Sequence, residues 1–206
     1  MQPLVILCHP FERSFCHALA GTLVEGFGGA AGGGPILHDL YAESPDPVLT
    51  GAEIARRFSL DEQIQAYSDE LVSSDLIAVV HPDWWSAPPA LLKGWIERVL
   101  RPGIAYDWEG EEFEEKHHVP LLTGRRLAVF VTTDREHDDP PTPIEGFWRD
   151  AAPYAGLELV RYSLYADMRH SGHRQRRAWL ADVTEWAASQ ARDPEVPAAD
   201  PGATDD

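Results

Sequence analysis

Three short segments concentrate groups able to do chemistry. The first is His9-Pro10-Phe11-Glu12-Arg13-Ser14-Phe15-Cys16, which follows an apolar run and precedes a helical pattern. A strand that passes into a helix start offers free N–H groups. With the Ser14 hydroxyl they make a place for a phosphate, and His9 and Arg13 add donors. No glycine lies here, so neither a P-loop nor a GxGxxG dinucleotide fingerprint is present. The second is His81-Pro82-Asp83-Trp84-Trp85-Ser86-Ala87-Pro88-Pro89. Neighbouring side chains of an extended segment point to opposite sides, so both rings cannot enter one core. Either one indole lines a cleft suited to a flat heteroaromatic ligand, or both pack beneath a second copy of the chain. The third, Thr132-Thr133-Asp134, places hydroxyls and free amides at a strand end and runs on through a polar, Pro-rich stretch to Phe147.

The elements that position these loops follow from hydrophobic patterning. Residues 3–8 form a short apolar run without alternation, the mark of a strand buried on both faces. Residues 75–81, 127–131 and 157–162 read as further strands, and 36–41 as a short one. Helical spacing appears after Ser14, a plausible N-cap, through Phe27; over 61–74; from Pro88-Pro89 to Leu100; over 148–154; and over 174–190. Residues 28–34, with five glycines and two alanines, make a connection, and 44–50 make a Pro-rich loop. Strands and helices alternate five times. This predicts a doubly wound α/β fold, five parallel strands with helices on both faces, over residues 1–190. Residues 191–206 read as a disordered acidic tail. In such sheets the ligand sits beyond the carboxyl ends of the strands, where these three loops emerge.

Composition narrows the function. The chain has 206 residues, with 17 basic and 34 acidic side chains and a net charge of −17. That is enough chain for its own core. It lacks the clustered Lys and Arg that nucleic acid or anionic lipid requires. No apolar run approaches the roughly 18 residues of a membrane span, and the N-terminus lacks a basic start. Two cysteines, Cys8 and Cys16, fit neither a disulfide framework nor a CxxC site, which points to the reducing cytoplasm.

Taken together, HPFERSF, then HPDWWSAPPALLKGWIERVLRPGIAY, then TTD after a buried strand resemble the flavodoxin-like NAD(P)H:quinone oxidoreductases. That family includes the soluble flavin-binding ancillary subunits of bacterial potassium efflux systems. The resemblance covers about residues 3 to 190 and is most specific from Pro82 to Tyr106. It implies a bound flavin, FMN with FAD as the alternative, NAD(P)H as co-substrate, a quinone-like acceptor, and a homodimer with active sites at the interface. It also implies ping-pong turnover, with a hydride passing from NAD(P)H to the flavin and then to the acceptor. Carried over residue by residue, His9, Ser14, Phe15 and Cys16 meet the phosphate end of the flavin. Pro82, Asp83, Trp84, Trp85 and Ser86 lie along the ribityl chain and ring edge, and Thr132, Thr133 and Asp134 meet the pyrimidine end. His137 is the nearest candidate for a proton relay. The chain departs from many relatives at Cys16, where they carry Asn, and at Asp134-Arg135-Glu136, where they carry glycines. A flavin-containing regulatory subunit of a membrane transporter and a one-electron carrier of flavodoxin type are the competing roles.

Other features have two readings. Residues 107–115 hold six acids around Trp108 and Phe113. They are either a solvated surface loop or a lid, with Trp108 and Phe147 lining the acceptor pocket. His117-His118 and His170-Ser171-Gly172-His173 lack the additional ligands that a metal demands, so no metal is expected.

Overall fold

Residues 1–28, 34–110, 115–136 and 143–192 are described here from a computed structural model. In chain order the elements are β1 (Pro3–Leu7), α1 (Phe15–Phe27), β2 (Ile36–Asp39), α2 (Leu40–Glu43), α3 (Gly51–Arg56), α4 (Glu62–Ser73), β3 (Leu76–Pro82), α5 (Ala90–Val99), β4 (Tyr106–Glu109), β5 (His117–Pro120), β6 (Arg126–Thr132), α6 (Pro143–Ala155), β7 (Glu158–Tyr165) and α7 (His173–Arg192). Five strands form one parallel sheet in the order β2-β1-β3-β6-β7. β1 lies between β2 and β3, with Leu4 opposite both Ile36 and Ile77.

Alternate residues of the central strands feed two cores, as the pleat requires. Leu4, Ile6, Ile77, Val79, Leu127 and Val129 pack toward α4, α5 and α6 through Ile64, Leu71, Leu92, Trp95 and Trp148. Val5, Leu7, Ala78, Val80, Ala128 and Phe130 pack toward α1 and α7 through Leu19, Leu23, Phe27 and Val183. The sheet is therefore covered on both faces, as the unalternating apolar runs predict.

The differences from the sequence reading have local causes. The second strand stops at Asp39 instead of reaching residue 41, because the Asp39 carboxylate accepts the Tyr41 and Ala42 amides and starts α2. α3 arises from a capping box, Thr50 with Glu53, that the Pro-rich reading passed over. Residues 107–109 belong to β4, which pairs antiparallel with β5, so the acidic stretch begins as half of a hairpin. α6 begins at Pro143, well before Trp148. Gly94 has its own packing reason: a Cβ there would sit 2.3 Å from the Pro47 carbonyl oxygen, so the loop before α3 lies directly on α5. The expected tail lies, from residue 193, outside the described residues, as does His137.

Candidate functional site

The three loops leave neighbouring strands at the carboxyl edge and are tied where they begin. The Cys8 amide donates to the Val80 carbonyl at 2.9 Å, Asp83 to Thr132 at 2.7 Å, and Thr133 to Tyr165 at 2.9 Å. The sheet ladder thus continues a residue past the strands and fixes where each loop departs.

At the first loop, Ser14 caps α1, accepting the His17 amide at 3.3 Å. First-turn amides have no acceptor within the helix, so they remain open to an anion. His9 Nδ1 accepts the Phe11 amide at 3.0 Å, so the neutral ring carries its proton on Nε2. Burial, and next the neighbouring His17, hold the His9 pKa below its ordinary value. Two expected contacts change character. The Cys16 thiol is buried, 3.3 Å from the Thr132 hydroxyl, and desolvation pushes it up to about 12. The Phe15 ring packs edge-on to Tyr165 at 5.7 Å and against Trp179 at 5.8 Å. Both side chains face inward, and only their backbone amides stand at the helix start.

At the second loop, Trp84 and Ala87 exchange amide-to-carbonyl bonds of 3.2 Å around Trp85 and Ser86, whose φ angles are +59° and +60°. A two-residue turn of this kind normally takes Asn-Gly, so two bulkier residues store strain here. The segment is a tight turn, not the extended stretch expected. It sets Trp84 5.9 Å from the His9 ring and leaves Trp85 100% exposed. Beneath them His81 is fully buried: Nδ1–H donates to the Pro82 carbonyl at 2.9 Å, and Nε2 accepts the Trp148 indole N–H at 3.0 Å. Burial depresses its pKa to about 4, so it is a neutral floor for the loop. Asp83 Oδ2 accepts the Thr133 hydroxyl at 3.4 Å, while Oδ1 is buried and accepts no hydrogen bond among the described residues.

At the third loop Thr132 and Thr133 are buried, and the Asp134 carboxylate turns to the surface, 3.2 Å from Arg169. The expected loop residues therefore meet at one edge. Trp108 and Phe147 lie elsewhere, on the outer flank of α5 and α6. Phe147 lines a cavity of about 670 Å³ with Ile54, Leu100, Tyr106 and Tyr154, and Trp108 lines a neighbouring one with Arg57 and Lys116. Sequence reasoning passed over His17 and Asp39. The Ser14 hydroxyl lies 2.9 Å from His17 Nδ1, and His17 Nε2 lies 3.2 Å from Asp39 Oδ2. The available signal was a histidine three residues after a helix cap. This edge can hold an anionic group at α1, a flat ring beside Trp84, and a hydrogen-bond donor at Asp83.

A family model described as a flavodoxin-like fold matches residues 1–188. The chain belongs to this flavodoxin-like family. An uncharacterized NAD(P)H oxidoreductase of Haemophilus influenzae is 31% identical over 193 residues, 87% of this chain and 91% of that protein. FMN-dependent NADH:quinone oxidoreductase 1 of Photobacterium profundum is 31% identical over 64% of this chain and 68% of its own. A crystal structure of a putative quinone reductase from Klebsiella pneumoniae superposes with a TM-score of 0.78 at 23% identity, covering 92% of this chain and 85% of that one. Among the described residues, no helix of this flavodoxin-like chain is long and apolar enough to cross a membrane.

Proposed function

We propose that this chain is a flavin-dependent NAD(P)H:quinone oxidoreductase, with FMN as its flavin, two-electron ping-pong turnover and a cytoplasmic location. The observation that carries this reading is the donor set at the strand ends. The open amides of α1, His9 Nε2–H and the Ser14 hydroxyl suit a phosphate. The unpartnered buried Asp83 Oδ1 suits a ribityl hydroxyl or ring N–H. Trp84 would offer an aromatic edge to the ring, and the backbone of the turn at Trp85-Ser86 would flank it. Bound there, FMN supplies the hydride chemistry between NAD(P)H and the acceptor. The protein binds, orients and screens. Pro82 to Ser86 flank the ribityl chain and ring edge, and the backbone of Thr132, Thr133 and Asp134 meets the pyrimidine end. Drawing the Asp134 carboxylate off to Arg169 keeps its charge away from the ring.

The reading includes a homodimer. Its support is the outer flank, where Ile54 and Tyr154 are exposed around the cavity of about 670 Å³ and Trp108 is exposed at the neighbouring one. Patches of this kind mark interaction surfaces. Arg101 lines the cavity and is buried, yet its Nε and Nη1 donate to nothing among the described residues. A second copy would satisfy that guanidinium, and Trp108 and Phe147 would then face the partner's site, which is how they reach an acceptor.

The test is the spectrum of the purified protein, with the released chromophore weighed by mass. FMN release and anaerobic bleaching by NADH or NADPH, reversed by a quinone, are expected. A colourless protein that takes up neither FMN nor FAD overturns the proposal.

A further inference from the structure

The Ser14–His17–Asp39 chain has a consequence for the proposed FMN site and rests on that reading. Asp39 Oδ1 accepts the Tyr41 and Ala42 amides at 3.1 and 3.3 Å, which locks the carboxylate while Oδ2 faces His17 Nε2 at 3.2 Å. A carboxylate only accepts, so Nε2 carries a proton. The other nitrogen, Nδ1, lies 2.9 Å from Ser14 Oγ. In a neutral His17 this nitrogen is an acceptor, and the only proton that can fill the contact is that of the Ser14 hydroxyl. The hydroxyl is then committed inward and cannot donate to an anion at the start of α1. When His17 gains a proton, Nδ1–H donates to Ser14 Oγ, and the Ser14 O–H is released to turn outward.

We propose that binding the FMN phosphate takes up a proton on His17, which switches Ser14 from donor to His17 into donor to the phosphate. The charged and titratable groups facing His17 are few. Asp39 stands at the end of β2 and balances the imidazolium. His9 stands at the end of β1, with ring centres 6.3 Å apart. His9 is not the proton acceptor, because its Nδ1 already receives the Phe11 amide at 3.0 Å and protonation there would break that bond. No bond between heavy atoms is made or broken. One proton moves from solvent to His17 Nδ1, and the dianionic phosphate gains a neutral O–H donor beside a cation.

The experiment is calorimetric titration of the flavin-free full-length protein with FMN near pH 8, in phosphate-free buffers of different ionisation heat. Riboflavin, which has no phosphate, is the control. At that pH the free phosphate is already a dianion, so uptake belongs to the protein. About one proton is expected per FMN and none per riboflavin, with FMN affinity falling as pH rises, by at most about tenfold per pH unit. His17→Gln should abolish the uptake and flatten that slope, and Asp39→Asn should weaken both. His9→Gln should weaken FMN binding but keep the uptake of about one proton for each FMN bound. FMN binding without proton uptake, or uptake that survives His17→Gln or disappears with His9→Gln, overturns the inference and leaves the FMN site standing. Failure of both flavins to bind overturns the cofactor reading itself. Circular dichroism of each variant separates a misfolded protein from a decoupled one.

Discussion

The carboxyl edge of the sheet and the outer flank of α5 and α6 solve opposite problems with the same chain. At the edge, polar groups dominate and nearly all are tied down: His81 by Pro82 and Trp148, Thr133 by Asp83, Cys16 by Thr132. Among the described residues the helix start and one carboxylate oxygen of Asp83 are left open, which are features of a prepared ligand site. On the flank the surface is apolar, and order comes from one buried ion pair. Arg98 bonds Glu53 at 2.8 and 3.1 Å and the Asp46 carbonyl at 2.7 Å, stapling α3 and its preceding loop to α5. The edge is held by matched donors and acceptors; the flank is held by the charge pair beneath it. On the proposed reading, ligand specificity belongs to the first region and association to the second.

Breaking the flank's staple should have the largest effect. Glu53→Ala leaves Arg98 buried without its main partner and should lose about 3 kcal/mol or more of stability, read from urea unfolding at neutral pH. Desolvation alone would raise the Glu53 pKa, but hydrogen bonds from Thr50, Ser59 and Arg98 overcome it and lower the carboxyl to about 2. Its contribution is thus present above the ordinary glutamate range and is lost as pH falls through about 2. A Glu53→Ala protein as stable as the wild type would show that apolar packing alone holds the flank.

The edge should reveal itself by pH. His81 titrates near 6.5 when unfolded and near 4 when folded, because burial excludes its charge. The unfolded chain then binds the extra proton between these values, so stability falls as pH drops. The expected loss from this residue is about 2 kcal/mol between pH 7 and pH 5. Replacing His81 with Gln should flatten the urea midpoint over that window; an unchanged slope would mean that another group carries it.

Two smaller effects sharpen the contrast within the edge. Ser14→Ala removes the cap of α1 and should cost about 1 kcal/mol of stability. The same change should also weaken FMN more than riboflavin, measured by fluorescence quenching. Trp85→Ala removes a ring that touches nothing in the single chain, so unfolding of the dilute protein should shift by less than about 0.5 kcal/mol. Its expected signature is a raised KM for the quinone. A large stability loss instead would show that Trp85 is covered in solution.

Much of this was legible beforehand. The three central strands β1, β3 and β6 are visible as unalternating apolar runs, since burial on both faces demands apolar residues at nearly every position, and the edge strands β2 and β7 are read as shorter segments beside them. The helices α1 and α4 declare themselves by caps and apolar stripes, and α5 and α7 by apolar stripes. The three loops follow from where those strands end. α2, α3 and the β4–β5 hairpin were not visible. They are short, and their hydrogen bonds come from caps and cross-strand pairing, not from a repeating pattern. The turn at Trp85-Ser86 was hidden because it holds no glycine to announce it.

The order of strands and helices, the acidic charge and the HPDWWSAPP loop were determined by local sequence, because hydrophobic period and turn chemistry act over a few residues. Which groups oppose one another was decided only by the tertiary structure. Cys16 meets Thr132, Glu53 meets Arg98, and His17 stands between Ser14 and Asp39. Glu53–Arg98, Cys16–Thr132 and His17–Asp39 are distant in the chain and are joined by packing across the sheet and its helices. Hydrogen bonds depend on distances of a few tenths of an ångström. No pattern of residue types specifies such distances until the sheet has closed and both of its faces are filled.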